Sequence, residues 1–216
     1  MGKEIYKKLI TTGFYDEILP IEDINFLKKI SHLAKNFDYK NAAHTNFKDN
    51  YSRNVPFEEL EKLKEECAPL KLWQFWYTTD NIDKDFNLSN EEYLQINKIF
   101  NRIFKKCYPV YMLPDEGQIN KINCTMYNKM CYINPHYDGL GGNKLCNILI
   151  YLNEDYKDGY GGELVLNNKT KIIPDLGRIV VIDFSKVNPN HEVTEVLDDT
   201  FKRCALQALF QKKNII

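Results

Sequence analysis

"NPHYDGLGG", residues 134–142, sets a histidine and an aspartate two positions apart and follows them with a glycine cluster. On an extended strand successive side chains alternate between faces, so His136 and Asp138 project to the same side. One imidazole and one carboxylate on a shared face suit a borderline divalent metal. The plain alternative is a polar turn that happens to contain a histidine, since such triplets arise by chance. What surrounds the stretch decides between them.

From Pro109 onward, short apolar runs alternate with Gly, Asn, Asp and Pro turns: "INKINCTMY", "KLCNILIYLN", "GELVLNN", "KIIPDLG", "RIVVIDF", "HEVTEV" and "RCALQALF". Runs of this length and spacing predict antiparallel strands closed into a sandwich or barrel. The half before Pro109 reads mainly helical. Leu27, Ile30 and Ala34 recur at helical spacing near 21–36, and a second helix near 56–67 opens with Pro56 in its first turn. "LKLWQFWYTT", 70–79, reads as an aromatic-rich strand, whose rings are core or, for one of them, a wall of the substrate cleft. Ser89 and Glu92 form a capping box that starts a helix running to Cys107, with a core stripe of Tyr93, Ile96, Phe100 and Ile103. The expected architecture is mainly β with flanking helices: one domain over 1–216, with 1–110 as helical support and substrate-facing region and 111–216 as the β core. The polar stretch 42–57 is either a lid over a pocket mouth or a surface loop.

With 216 residues, 44% of them hydrophobic, the chain is long enough to bury a sizeable core. The 29 basic and 30 acidic residues nearly cancel, so no global field draws the protein to nucleic acid or to an anionic membrane. No run approaches the ~20 apolar residues of a membrane span. The first residues lack a signal-peptide pattern, and Tyr6 stands where a myristoylation motif wants Ser or Thr. Six scattered cysteines without a Cys-x-x-Cys pair argue against a zinc knuckle or a disulfide framework. A cytoplasmic setting with reduced thiols is the expectation.

A third ligand has to come from elsewhere in the chain. Besides His136 there are three histidines: His32 on the polar side of a predicted helix, His44 in a polar stretch, and His191 at the start of "HEVTEV". His191 follows Asp138 by 191 − 138 = 53 residues, enough for several strands to bring the chain back beside the first. Two histidines and a carboxylate leave positions open on a metal, an arrangement that suits non-haem Fe(II).

The words around these residues are more specific. "YNKMCYINPHYDG" (127–139), "LCNILIYLNEDYKDGYGGELVL" (145–166) and "GRIVVIDF…NPNHEVTEV" (177–196) follow one another in the order of a known family. Over roughly its last hundred residues the chain resembles the prolyl-hydroxylase-like branch of the 2-oxoglutarate/Fe(II)-dependent dioxygenases. The resemblance implies a double-stranded β-helix, or jelly-roll, core. It makes His136, Asp138 and His191 the iron ligands and Arg203 the anchor of the 2-oxoglutarate distal carboxylate, assisted by Tyr151. Lys202 is the runner-up for that anchor. Arg203 lies 203 − 191 = 12 residues past His191, a few more than the family uses, so the turn around "LDDTF" is expected to be longer. Asn147 and Leu149 share the inward face with Tyr151, and Val193 is placed against the co-substrate. Tyr127, with Thr125 and Asn123 on its face, either hydrogen-bonds 2-oxoglutarate or substrate, or packs as a core aromatic. Gly161 and Gly162 serve a close backbone approach. No role follows for Asp183.

The implied activity is Fe(II)-, O2- and 2-oxoglutarate-dependent hydroxylation of an aliphatic C–H with release of succinate and CO2, ascorbate being a further candidate cofactor. A protein or peptide side chain, proline first, is the leading substrate class. A free amino acid or small metabolite is the rival, and a non-catalytic module that binds metal and 2-oxoglutarate is the reading from a different class. No nucleic-acid or membrane partner is expected.

Overall fold

Alternating apolar residues in the second half of the chain build the two sheets between which the candidate ligands lie. The computed structural model describes residues 2–39, 41–46, 51–67, 73–109, 117–138 and 143–212, so the glycine-rich 139–142 falls outside the described residues. The elements run α1 (Gly2–Thr12), β1 (Phe14–Ile18), α2 (Ile21–Asn36), β2 (Asn41–Asn46), β3 (Tyr51–Pro56), α3 (Phe57–Cys67), β4 (Trp73–Thr78), α4 (Ile82–Asp85) and α5 (Asn90–Cys107). Then follow β5 (Gly117–Tyr127), β6 (Ile133–His136), β7 (Lys144–Tyr151), β8 (Leu164–Leu166), β9 (Thr170–Ile172), β10 (Arg178–Asp183), β11 (His191–Val193) and β12 (Arg203–Lys212).

An eight-stranded sheet has the order β1-β10-β7-β12-β5-β4-β2-β3, and a four-stranded sheet the order β6-β11-β8-β9. Every pairing is antiparallel. This is the jelly-roll core flanked by helices that the strand spacing and the resemblance imply. β12 sits between β5 and β7 and pairs along both. Buried on both faces, it reads as a near-continuous apolar run. Its outward residue Phe210 stacks on Phe104 of α5 at 4.4 Å. On the same side Ser31 of α2 donates to the Leu152 carbonyl at 2.5 Å, and Arg102 of α5 pairs with Asp23 of α2. Helices thus cover the outer face of the large sheet, and the inner face is left for the small one. α5 starts with the expected Ser89–Glu92 capping box.

Several sequence expectations need correction. The first half is mainly helical with the expected strand within 70–79 (β4), but β1, β2 and β3 also join the large sheet. The stretch 42–57 is not a loop over its described part: β2 and β3 are paired strands that continue the sheet beyond β4, and His44 lies on β2. Pro56 closes β3, and the helix begins one residue later at Phe57. α1 and β1 were not anticipated. β1 pairs with β10 residue for residue, Phe14 opposite Ile182 and Ile18 opposite Arg178, so the start of the chain completes one edge of the core sheet.

Gly161 is the clearest close approach. At φ +74° a Cβ on it would stand 1.9 Å from the Glu195 carbonyl oxygen, so only glycine lets this turn lie against the segment after β11. The five cysteines whose side chains are described are free and buried. Among the described residues no helix is long and apolar enough to cross a membrane.

Candidate active site

β6 and β11 are neighbours, and His136 and His191 are direct partners across that pair. Their rings lie 4.3 Å apart between centroids. Asp138 stands two residues past the end of β6, not on the strand, yet its carboxylate faces both rings. Its oxygens are 3.6 Å from His136 Nε2 and 3.5 Å from His191 Nε2. The three side chains offer ligand atoms that all lie within 4.8 Å of one another, and they form the cluster of this kind found among the described residues.

The other ring nitrogens explain the orientation. His136 Nδ1 lies 2.8 Å from the Asn134 carbonyl and His191 Nδ1 lies 3.0 Å from the Pro189 carbonyl. Each carbonyl can only accept, so each Nδ1 carries the proton and each Nε2 lone pair is directed at the shared space. Electrostatics agree. Burial disfavours charge on His136, but the Asp138 carboxylate and the Asn134 carbonyl outweigh it and raise its pKa. Burial dominates at His191 and lowers its pKa. Asp138 is also desolvated, yet the two imidazoles beside it hold its pKa below the ordinary carboxylate value.

Asp183, unexplained by the sequence, turns out to organise the approach to this cluster. It is fully buried at the end of β10. Its carboxylate accepts from Tyr108 Oη (2.7 Å), Ser185 Oγ (2.7 Å) and the amides of Lys186 (2.8 Å) and Val187 (3.0 Å). The turn so capped delivers Asn188, whose Nδ2 donates to the Asp138 carbonyl at 2.6 Å. Pro189, next along, supplies the acceptor for His191. One turn therefore holds both Asp138 and His191, and neither Asp183 nor Asn188 carried a signal of this in the sequence.

A cavity of ≈ 350 Å³ opens on the cluster and runs between the sheets. At its far end lies Arg203, the largest fully buried side chain in the described structure. The register sets Arg203 opposite Tyr127 and Ala205 opposite Tyr151, so the guanidinium lies between two rings, 4.6 Å from Tyr127 and 5.0 Å from Tyr151. Its Nη2 donates to Tyr151 Oη at 3.1 Å, whereas Nε and Nη1 find no partner among the described protein atoms. A buried cation with donors to spare is costly unless something anionic meets it. Lys202 points the other way and donates to the Lys35 carbonyl, so Arg203 is the residue in the cavity. The longer stretch between β11 and β12 is closed by a turn in which Asp198 accepts from Thr200 and Phe201.

Asn123, Thr125, Asn147, Leu149 and Val193 line the same cavity. So does Trp76 of the aromatic run, while Tyr77 is core. Gln207 was missed, although the period of two from Arg203 through Ala205 would have placed it inward.

Residues 122–211 match the model of the 2OG-Fe(II) oxygenase superfamily. No curated protein matches the chain in sequence. Among solved structures it is similar to a prolyl-4-hydroxylase from Pseudomonas putida, with 13% identity, TM-score 0.61 and coverage of 99% of this chain and 100% of that one. A Trichoplax adhaerens prolyl hydroxylase, solved with a hypoxia inducible factor peptide fragment, gives 15% identity, TM-score 0.65 and coverage of 98% and 89%. A viral collagen prolyl hydroxylase from Paramecium Bursaria Chlorella virus-1, solved with 2OG, gives 16%, 0.52, 94% and 97%. The family implies Fe(II), 2-oxoglutarate and O2, and the His136, Asp138 and His191 group fits iron.

Proposed function

We propose, from the match of residues 122–211 to the 2OG-Fe(II) oxygenase superfamily and the likeness of fold to prolyl hydroxylases, that the protein hydroxylates an aliphatic C–H of a protein or peptide side chain, a prolyl ring first. The observation that carries the reading is the pairing of two features in one cavity. Three ligand groups meet at its mouth, and a buried guanidinium with unpaired donors waits at its closed end. A dicarboxylate with one end on a metal and the other on an arginine fits between them.

In this reading His136, Asp138 and His191 hold the iron. Arg203, whose planar fork matches a carboxylate, holds the distal end of 2-oxoglutarate, with Tyr151 fixing the guanidinium. Tyr127 stacks on that guanidinium, and Asn147, Leu149 and Val193 wall the co-substrate. When bound, Fe(II), 2-oxoglutarate and O2 supply oxidative decarboxylation to succinate and CO2, coupled to oxygen insertion into the C–H bond. The chain contributes binding, orientation and exclusion of water, and residues 1–216 act as one domain.

The test is succinate formation from Fe(II) and 2-oxoglutarate with two panels, prolyl-containing peptides and free amino acids, on wild type and Asp138→Ala. Turnover stimulated by a peptide and lost in a still-folded Asp138→Ala supports the proposal. Stimulation by free amino acids alone moves the substrate to the small-metabolite class. Protein that loads metal and 2-oxoglutarate yet makes no succinate is a binding module. Full activity in Asp138→Ala would overturn the ligand assignment.

A further inference from the structure

A second compartment, of ≈ 260 Å³, opens beside Asp138 on the side away from Arg203. It shares Asn123, Asp138, Asn147 and Gln207 with the main cavity and adds Lys121, Lys144, Phe184 and Leu209. We propose that this compartment receives a carboxylate of the substrate, so that the residue to be hydroxylated is, or lies next to, an acidic group; this rests on the oxygenase reading above.

The inner face of the large sheet is graded along β5, β12 and β7. Its deep end holds Arg203 between Tyr127 and Tyr151, and its middle carries the carboxamides of Asn123, Gln207 and Asn147. Lys121 and Lys144 stand at the open end. Gln207 is the direct cross-strand partner of Asn123, and Asn147 lies opposite Leu209 one step further out. Lys121 is on β5 and Lys144 opens β7, one on each side of β12, and both side chains line the compartment.

Among the described residues no hydrogen bond or salt bridge holds the side chain of Lys121, which is exposed, or of Asn147, and Lys144 acts on the Asp138 carboxylate through its charge alone. The acid that lines the compartment is Asp138, and in the proposed holoenzyme it is occupied as a metal ligand. Two ammonium groups and an amide gathered beside Asp138 favour an anion in this compartment. Phe184 and Leu209 give the same compartment an apolar wall for the aliphatic part of an acidic residue. Arg203 lines the main cavity and the two lysines line the second compartment, so co-substrate and substrate carboxylates do not compete for one cation.

The source of the carboxylate is either an Asp or Glu in a peptide or a free acidic amino acid, and the experiment separates the two. Protein loaded with Mn(II) and 2-oxoglutarate, which binds without turning over, is exposed to a randomised pentapeptide library. In parallel it is titrated with aspartate, asparagine, glutamate and glutamine. The expected result is enrichment of Asp and Glu over Asn and Gln by about tenfold at one library position, or an equal preference for the acid over its amide among the free amino acids. Lys121→Gln/Lys144→Gln, confirmed as folded by its melt, should lose that discrimination. Binding without acidic preference, no binding in either arm, or a preference that survives in the double variant overturns the proposal. Substrate-independent succinate release by the wild type reports on the oxygenase reading separately.

Discussion

Replacing Arg203 by Met should make the protein more stable and unable to respond to 2-oxoglutarate. Arg203 is fully buried, with Nε and Nη1 unpartnered. Each orphaned donor costs about 1–3 kcal/mol. Against that stand one hydrogen bond to Tyr151 and contacts with two rings, about 0.5–2 kcal/mol apiece. Met retains much of the apolar stem and removes the desolvated charge, a kind of exchange that typically stabilises by about 1–4 kcal/mol. At about 2–4 °C per kcal/mol for a chain of this size, the ligand-free variant should melt roughly 2–16 °C above wild type. Ligand adds the opposite contrast. With Mn(II) present and 2-oxoglutarate at about a hundred times its Kd, wild type gains about 2.7 kcal/mol, and Arg203→Met gains nothing. Paired thermal melts with and without 2-oxoglutarate measure both effects. A variant that melts below wild type and still rises with 2-oxoglutarate would refute the placement of the co-substrate on Arg203.

Two further expectations concern the metal group. Asn188 sits at φ +46°, which glycine tolerates, so Asn188→Gly removes the bond to the Asp138 carbonyl without backbone strain. Mn(II) affinity should fall by about 10–100-fold, as for other groups that orient ligands, while Asn168→Gly, also at positive φ, leaves it intact; equal affinities in the two would show that the bond to Asp138 does nothing for the site. Metal also competes with a proton on His136, whose pKa is raised above 6.5. Mn(II) affinity should therefore drop as pH falls from about 8, approaching about tenfold per unit below that pKa, with His191 adding its proton only at lower pH. The sign of the stability term follows from the same shifts. In the metal-free protein the His136 contribution is full below 6.5 and fades as pH rises through its folded value, whereas those of His191 and Asp138 fade as pH falls. A calorimetric affinity that stays flat between about pH 6 and 8 would contradict the assignment of His136 as a ligand.

The clustering of His136, Asp138 and His191 was legible because its signal is local. His136 and Asp138 are two residues apart, and the blocks around His191 and Arg203 keep a recognisable order. The strands after Pro109 were legible because their faces are apolar with period two. What failed was polar sequence in regular structure. β1 is "FYDEI", where Asp16 and Glu17 offer little β-propensity, and it is held by β10 and by the pair between Asp16 and Arg178. β2 and β3 are "NAAHTN" and "YSRNVP", which read as loop but extend the sheet from β4. Strand formation there depends on a neighbour and not on composition. Asp183 and Asn188 stayed silent for a related reason. Their work is to cap a turn and to hold a carbonyl fifty residues away in sequence, and neither task leaves a pattern along the chain.

The central position of β12 has a consequence for how the protein is made. β5 and β7, which it joins, leave the ribosome some fifty to eighty residues before it does. Until residue 203 emerges, the nascent chain carries His136, Asp138 and His191 but not Arg203, and both β5 and β7 present an open edge toward the missing strand. Such edges are templates for pairing with other chains. Closure therefore comes late and all at once, through contacts distant in sequence that fold slowly. A stalled or prematurely terminated product would hold the His136, Asp138 and His191 cluster without the Arg203 end of the cavity, and a cell that makes this protein has reason to shield that intermediate during synthesis.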